Sequence, residues 1–290
     1  MSPMLLLIIG GGLFAVSGLA VAFSTVGTST AGFYRMVFGG LALALVALYQ
    51  RKTLWTGWKP ALYAAIAGVF LAFDLYMWHK SIRMVGPGVG SILTNCQAFA
   101  LSVFAIFVFR ERPTWAYFVS LLLAIMGISL IVQKDWQLSA AYQAGIWLGL
   151  ASAVAYALCV VFLRLAQELP KPLDALSNMV YLSSAAALFL LGTALFEGES
   201  LAIPDAQNWI ALLLYGFMVQ GVAWLMVAYA VPHLPAAVVG LILLLEPVLT
   251  YLVDVLFLSA TAQMTAIVGC VLTLTAIYVG SQYGTKKVKA

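Results

Sequence analysis

Long apolar runs alternate with short polar connections along the whole chain. A bilayer-spanning helix needs about 20 mostly apolar residues, and ten of the runs come near that length. Because lipid offers no hydrogen-bond partner to the backbone, each spanning run must be helical. The pattern therefore predicts an all-α integral membrane chain with ten transmembrane helices. Their predicted limits are 4–23, 31–49, 61–83, 88–109, 114–132, 144–165, 175–196, 207–230, 236–257 and 264–282.

Composition supports the bilayer as the solvent of this chain. Only 8% of its 290 residues are charged and 64% are hydrophobic, whereas soluble domains are roughly 25% charged. Disorder is excluded, because it requires low hydrophobicity and high net charge. The basic residues form short clusters without interleaved aromatics, so we expect no nucleic-acid partner. The three cysteines and two histidines are too scattered for a disulfide framework or a metal centre, and we expect neither metal nor cofactor.

The distribution of Lys and Arg predicts the orientation. Ten of the 14 basic residues fall on the connections of one side and three on the other, with Arg35 inside a helix. Cytoplasmic connections carry the excess of positive charge. This bias predicts cytoplasmic N- and C-termini for a multi-pass protein, which we assign to a bacterial inner membrane.

A faint internal repeat relates the two halves. An offset of 150 residues aligns helices three and four with helices eight and nine. The matched pairs are Leu75 and Leu225, Val89 and Val239, Gly90 and Gly240, Ile92 and Ile242, Leu93 and Leu243, Val103 and Val253, and Phe107 and Phe257. The predicted repeats are 1–136, with helices one to five, and 137–290, with helices six to ten. Five helices per repeat make the second enter the membrane from the opposite side, an inverted-topology repeat typical of secondary transporters.

Ionisable residues inside apolar helices are candidates for function, because inserting each one costs about 2.5–3.5 kcal/mol. Glu246 lies midway along helix nine, and Pro247 removes a backbone donor beside it. Thr250 and Asp254 follow at four-residue intervals and share its face. Glu246 is a candidate for binding an amine or a coupling proton. A protonated, hydrogen-bonded carboxyl between packed helices is the alternative.

Helices two and three carry the other ionisable candidates. Asp74 has Trp78 one turn on, and an anion beside an indole suits an ammonium group. The alternative is an Asp paired with Arg35 or Lys80 for packing. His79 is a candidate proton carrier or a satisfied interface residue. Arg35 could hold a carboxylate or extend to the membrane interface.

Polar side chains at mid-depth complete the candidate set. Asn95 and Gln97 lie on helix four, Gln220 and Trp224 on helix eight, and Tyr156 on helix six. They could orient a solute in a cavity. They could equally form interhelical hydrogen bonds, which contribute only about 0.6 kcal/mol each.

Several local patterns resemble a known superfamily. Helix two has Arg35 early in its run, and helix four closes on Phe109-Arg110-Glu111-Arg112, with Arg110 in place of a usual Gly. Helix nine contains the segment Leu245-Glu246-Pro247. The chain resembles the drug/metabolite transporter superfamily, specifically its ten-helix EamA-type exporters. It departs from that pattern at Gln97, where Pro is expected, and at Ser259-Ala260-Thr261, which replaces a second Gly-Glu.

The resemblance implies a fold and a function. Helices one, three, four, six, eight and nine are expected to surround a cavity, and helices five and ten to pack together. The expected function is secondary transport, by alternating access, of small amphipathic metabolites such as amino acids. The cavity candidates that it implies are Phe14, Asp74, Trp78, Asn95, Gln97, Tyr156, Trp224 and Glu246.

Other functions have less support in the sequence. A lipid or drug transporter or flippase of the same fold is the main alternative. An enzyme is disfavoured because Asp74 and His79 form the one local acid–base pair, and their five-residue spacing places them on different helix faces. The expected partners are a small solute and the bilayer, and both a monomer and a homodimer are compatible with the sequence.

Overall fold

A computed structural model describes residues 1–15, 24–85, 90, 93–131, 139–249, 252 and 264–283. These residues form ten helical segments, one for each predicted apolar run. Five are long and apolar enough to cross a membrane, and five are shorter apolar helices. The all-helical fold is therefore confirmed. The segments are α1 (Pro3–Leu13), α2 (Thr28–Tyr49), α3 (Trp58–Val85), α4 (Leu93–Phe107), α5 (Trp115–Ile131), α6 (Ala140–Gln167), α7 (Ala175–Phe196), α8 (Ala206–His233), α9 (Ala236–Leu249) and α10 (Met264–Tyr283).

Some sequence predictions lie outside the described residues. They concern the end of the first run, Thr250 and Asp254 on the face of Glu246, and the segment 259–261.

The chain divides into two compact units, each with segments from both halves of the sequence. Unit 1 contains residues 1–76 and 158–233, and unit 2 contains residues 77–157 and 234–290. The predicted inverted repeat stays a prediction.

Small residues let the helices of unit 1 approach closely. A Cβ on Gly32 of α2 would meet Leu190 of α7 at 3.1 Å, and one on Gly40 would meet the Cβ of Ser183 at 3.0 Å. On α3, a Cβ at Gly68 would collide with the backbone of Leu182. Such contacts are typical of membrane helices. The hydrophobic effect does not drive their association in lipid, and small residues instead let the helix backbones pack closely.

Unit 2 contains the expected pair of α5 and α10. The hydroxyl of Thr273 on α10 donates to the carbonyl of Ala124 on α5 at 3.3 Å, besides its bond to the carbonyl of Gly269 in its own helix at 2.9 Å. A Cβ on Gly127 of α5 would overlap both the Thr273 hydroxyl and, at 2.6 Å, the Gly269 carbonyl oxygen. The expectation that helices five and ten pack together is confirmed.

A second pair in unit 2 joins α4 and α9. A Cβ on Gly240 of α9 would lie 3.2 Å from the Cα of Ala98 and 3.0 Å from Leu101 on α4.

The final turns of α3 pack on the start of α6, where the Ser81 hydroxyl donates to the carbonyl of Gly145 at 2.8 Å.

Asp side chains cap the N-termini of two helices in unit 1. Asp174 accepts from the N–H of Ser177 at 2.9 Å before α7, and Asp205 accepts from the N–H of Asn208 at 2.8 Å before α8. The backbone N–H and the side-chain amide of Asn208 hold the pKa of Asp205 below its ordinary value. Because the folded pKa is depressed, the stabilisation by this cap is present above about pH 4 and is lost on further acidification.

Replacing Gly127 with Ala should destabilise unit 2. The added methyl must displace Thr273 or separate α5 from α10, and overpacking of this kind costs about 1–3 kcal/mol. Gly192→Ala is the matched control, because a Cβ on Gly192 meets nothing within 4 Å and Ala favours a helix over Gly by about 1 kcal/mol. Thermal unfolding in detergent should show a lower Tm for Gly127→Ala alone. Equal shifts for the two variants would contradict this packing.

Replacing Arg110 with Gly should stabilise the protein. Arg110 follows α4 with φ of +53°, a left-handed conformation that costs a residue with a Cβ about 1–2 kcal/mol and that glycine adopts readily after helices. Allowing for the greater freedom of glycine in the unfolded chain, we expect a net gain of up to about 1 kcal/mol. Arg112→Gly removes the same charge two residues later, and Arg112 does not have a positive φ. The prediction fails if both variants change the Tm equally.

Candidate functional site

Arg35 lies inside unit 1 and contacts α8. Its side chain is only 5% exposed. The Nη1 group donates to the hydroxyl of Tyr215 at 3.0 Å, and the guanidinium carbon lies 4.8 Å from the centre of the same ring. Hydrogen-bonding and cation–π contacts therefore fix one end of the guanidinium. Its Nε–H is buried and has no hydrogen-bond partner among the described residues.

The middle of α8 is wound as a π-helix over Tyr215–Ala223. This winding bonds each N–H to the carbonyl five residues back and is frequent at functional sites. Gln220 lies in this segment with no exposed surface. Its Nε2 donates to the hydroxyl of Ser183 on α7 at 2.9 Å. Its Oε1 is buried and accepts no hydrogen bond from the described residues.

Two glycines bring α2 against the π-helical segment. A Cβ on Gly39 would meet the Cβ of Gln220 at 2.5 Å, and a Cβ on Gly216 would meet the carbonyl oxygen of Arg35 at 3.1 Å. Arg35 and Gly39 are four residues apart and share one face of α2. The seam between α2 and α8 therefore holds the polar groups of both Arg35 and Gln220.

Aromatic and charged side chains extend this region of unit 1. Phe14 follows α1 and packs on Trp224 with 5.5 Å between ring centroids. Trp224 is one turn after Gln220 and is 1% exposed. Asp74 on α3 is also buried. Unit 1 therefore buries two ionisable side chains, Arg35 on α2 and Asp74 on α3.

Unit 2 contains two interrupted helices that pack on each other. In α4 the regular helix breaks at Cys96, between Asn95 and Gln97, and in α9 it breaks at Leu244, two residues before Glu246. At both breaks an N–H bonds to a carbonyl only three residues back, at 3.1 Å and 3.2 Å. Under the predicted offset of 150 residues, Leu244 corresponds to Thr94. The two breaks are therefore two residues apart on the aligned halves.

Pro247 explains the break in α9. Proline has no N–H, so the carbonyl of Leu243 receives no bond from position 247. Glu246 is half-buried there, whereas Gln97 is 2% exposed and its Oε1 has no partner among the described residues. Asn95 is 6% exposed.

The remaining candidates also belong to unit 2. Trp78 is half-buried on α3, and its ring centroid lies 5.0 Å from that of the buried His79. Tyr156 on α6 is 8% exposed. The structure thus brings Phe14 together with Trp224 and places Arg35 and Gln220 along one seam, while Asn95, Gln97 and Glu246 lie on the paired helices α4 and α9.

Two carboxylates cap helices that are distant in sequence. Glu199, after α7, accepts from the N–H of Thr30 at 2.8 Å and from that of Ser29 at 3.3 Å, at the start of α2. Glu111, after α4, accepts from the N–H of Ala236 at 2.8 Å and from that of Ala237 at 3.4 Å, at the start of α9. Negative charge at a helix N-terminus is stabilising, so Glu111 has a structural role within the motif that closes helix four.

A family comparison identifies this arrangement. The model of the EamA-like transporter family matches residues 1–133 and 143–281. The chain belongs to this family.

Two curated relatives agree with that assignment. The chain is 25% identical over 222 residues to the uncharacterized transporter YetK of Bacillus subtilis (strain 168), a match that covers 74% of this chain and 65% of YetK. It is 25% identical over 257 residues to a WAT1-related chloroplastic protein of Arabidopsis thaliana, covering 84% of this chain and 60% of that protein. The chain therefore spans less than two thirds of the length of either relative.

A solved structure shares the fold. One crystal structure superposes with a TM-score of 0.83 at 19% identity, covering 96% of this chain and 97% of the other. At that identity the similarity concerns the fold alone.

Sequence reasoning missed Tyr215, Ser183 and the cap by Glu199. Tyr215 and Ser183 are single polar residues in apolar runs, and their partners are 180 and 37 residues away. A search for polar residues at mid-depth would have found both. The sequence spacing could not have placed Tyr215 and Gln220 on the same side of α8, because residues five apart lie on different faces of an ordinary α-helix.

Replacing Glu199 with Gln should destabilise α2. The amide oxygen of Gln can still accept one N–H, but the favourable interaction of a full charge with the helix dipole is lost, about 0.5–1 kcal/mol. Glu168→Gln is the control, because Glu168 forms an exposed ion pair with Arg164 at 2.8 Å, and exposed pairs contribute little. Thermal unfolding above pH 6 should show a lower Tm for Glu199→Gln alone. An equal change in both variants would show that the cap adds nothing.

Proposed function

We propose that this chain is a secondary transporter that exports small amphipathic metabolites such as amino acids. The observation that carries the proposal is the pair of interrupted helices α4 and α9, with Asn95, Gln97 and Glu246 beside the breaks. Transporters bind solutes at discontinuous helices in corresponding positions of two repeats, because unwound backbone supplies polar groups there.

The proposed mechanism is alternating access by two inverted repeats. The contacts within the units support it, since α2 packs on α7, α4 on α9 and α5 on α10. Each of these pairs joins a helix to the helix five places later, which a pseudo-two-fold axis between five-helix repeats would produce. The proposal includes cytoplasmic termini and residence in a bacterial inner membrane, on the basis of the positive-inside bias.

Glu246 is proposed to carry a coupling proton or to bind a substrate amine. Its half-buried position near the broken backbone of α9 supports this role, because a carboxyl there can change its charge as the site opens to one side or the other. Asp74 and His79 remain candidates for the same task, as buried ionisable groups on α3.

Counterflow in proteoliposomes tests the function. Vesicles are preloaded with pooled unlabelled amino acids and given labelled amino acids outside, at equal pH. We expect an overshoot of label that protein-free vesicles do not show. No overshoot, from protein shown to be folded, would overturn amino acid transport. Lipid and drug substrates would then be tested by scramblase and efflux assays with the same preparation.

Replacing Glu246 with Gln should abolish dependence on a pH gradient if Glu246 carries the coupling proton. The neutral amide cannot exchange a proton, so uptake driven by a pH gradient should fall at least tenfold while counterflow at equal pH continues. Glu168→Gln, a change at an exposed carboxylate, should retain the wild-type dependence. A Glu246→Gln variant that retains gradient-driven uptake would remove Glu246 from this role.

A further inference from the structure

We propose that Arg35, Tyr215 and Gln220 form a binding subsite in unit 1 for the paired carboxylate and ammonium groups of an apolar amino acid. This inference rests on the proposed transport function and names the part of the substrate that the seam between α2 and α8 recognises. It assigns the substrate amine to Gln220 and therefore leaves Glu246 the role of carrying the coupling proton.

The seam contains two buried polar atoms, one a hydrogen-bond donor and the other an acceptor. The Nε–H of Arg35 is a donor and the Oε1 of Gln220 is an acceptor, and neither has a partner among the described residues. Leaving such a group unsatisfied is unfavourable, and more so when the group is charged. A ligand that both accepts and donates would satisfy the two at once. A carboxylate is the complement of the guanidinium, and an ammonium is the complement of an amide oxygen.

The two side chains come from neighbouring positions of the seam. The Cβ of Gln220 lies against Gly39, one helical turn beyond Arg35 on α2. One turn is about 5.4 Å. Arg35 and Gln220 therefore approach the seam at positions about one turn apart along α2.

The neighbouring groups orient the two side chains. The Tyr215 hydroxyl and ring hold one end of the guanidinium, and the Ser183 hydroxyl accepts from the amide nitrogen of Gln220. Each partner occupies one end of the side chain and leaves the other polar atom available. Preorganisation of this kind lowers the ordering cost of binding.

The π-helical winding explains how α8 supplies both residues. In an α-helix, residues 215 and 220 would be rotated by about 140° from one another. Because π-helical hydrogen bonds join residues five apart, the winding reduces this rotation, and both residues meet α2, Tyr215 at Arg35 and Gln220 at Gly39. The aromatic pair of Trp224 and Phe14 lies one turn further and offers an apolar contact to the side chain of the substrate.

Binding in lipid nanodiscs tests the subsite. Tryptophan fluorescence would follow titration with L-leucine, L-leucinamide, which lacks the carboxylate, and 4-methylpentanoate, which lacks the amine. Wild-type protein should bind leucine at least tenfold more tightly than either analogue. Arg35→Lys cannot form the bidentate contact and should weaken leucine about 10- to 100-fold, while leucinamide changes less than twofold.

Further variants separate recognition from folding. Tyr215→Phe retains the ring and should weaken leucine several-fold. In wild type, 4-methylpentanoate should bind more tightly than leucinamide, because it retains the carboxylate that Arg35 binds. Gln220→Glu adds a negative charge and should reverse this order. Arg83→Lys and Gln143→Met, both at exposed positions, are the matched controls and should bind as wild type does. Size-exclusion profiles and Tm values establish that each variant is folded.

The outcomes distinguish this inference from the proposed function. The subsite is overturned if leucinamide binds wild type as tightly as leucine, if a folded Tyr215→Phe variant keeps the wild-type affinity for leucine, or if a folded Gln220→Glu variant keeps the wild-type order of ligands. It is also overturned if leucine does not bind while counterflow of pooled amino acids proceeds, and transport then stands without it. Failure of both binding and counterflow overturns both proposals.

Discussion

An apolar solvent cannot satisfy the hydrogen bonds of a polypeptide backbone, and this constraint governs the structure. It makes every long run of this chain a helix, and it makes each departure from regular helix expensive unless other groups compensate. Within the described helices, the departures include a break at Cys96, a break at Leu244 and the π-helical segment that begins at Tyr215. All three lie next to buried or half-buried polar side chains. Irregular backbone at membrane depth is tolerated where it is covered by protein or lines a cavity, which is the basis for proposing that a solute binds beside these positions.

Close helix packing and polar side chains are linked by the same constraint. Without a hydrophobic driving force between helices in lipid, α2 approaches α8 through Gly39 and Gly216. In the same seam, Arg35 is enclosed against Tyr215 rather than extended along the outside of the unit. Burial raises the strength of each electrostatic contact and the cost of each unsatisfied atom together. A ligand that pairs the two unsatisfied atoms of the seam would consequently gain most there.

The sequence was sufficient for the helices and for most of the candidate residues. Hydropathy alone located ten runs, and insertion cost alone pointed to Arg35, Asp74 and Glu246. The partners of these residues could not be predicted from the sequence, because Arg35 and Tyr215 are 180 residues apart and π winding changes which residues share a face. The break in α9 could be expected from Pro247, but no adjacent proline or glycine predicts the break at Cys96. The cap by Glu199 depends on a tertiary contact that no local pattern contains.

The two long-range caps also have a consequence for biosynthesis. Glu111 precedes its partner at the start of α9 by 125 residues, so its carboxylate already exists when α9 leaves the ribosome. Glu199 follows Thr30 by 169 residues. At a synthesis rate of about 5–20 residues per second, the first turn of α2 waits roughly 8 to 34 seconds for its carboxylate. During that interval the N–H groups of this turn need water as their hydrogen-bond partner. The start of α2 therefore stays at the aqueous boundary until the connection after α7 arrives, and α2 and α7 assemble late.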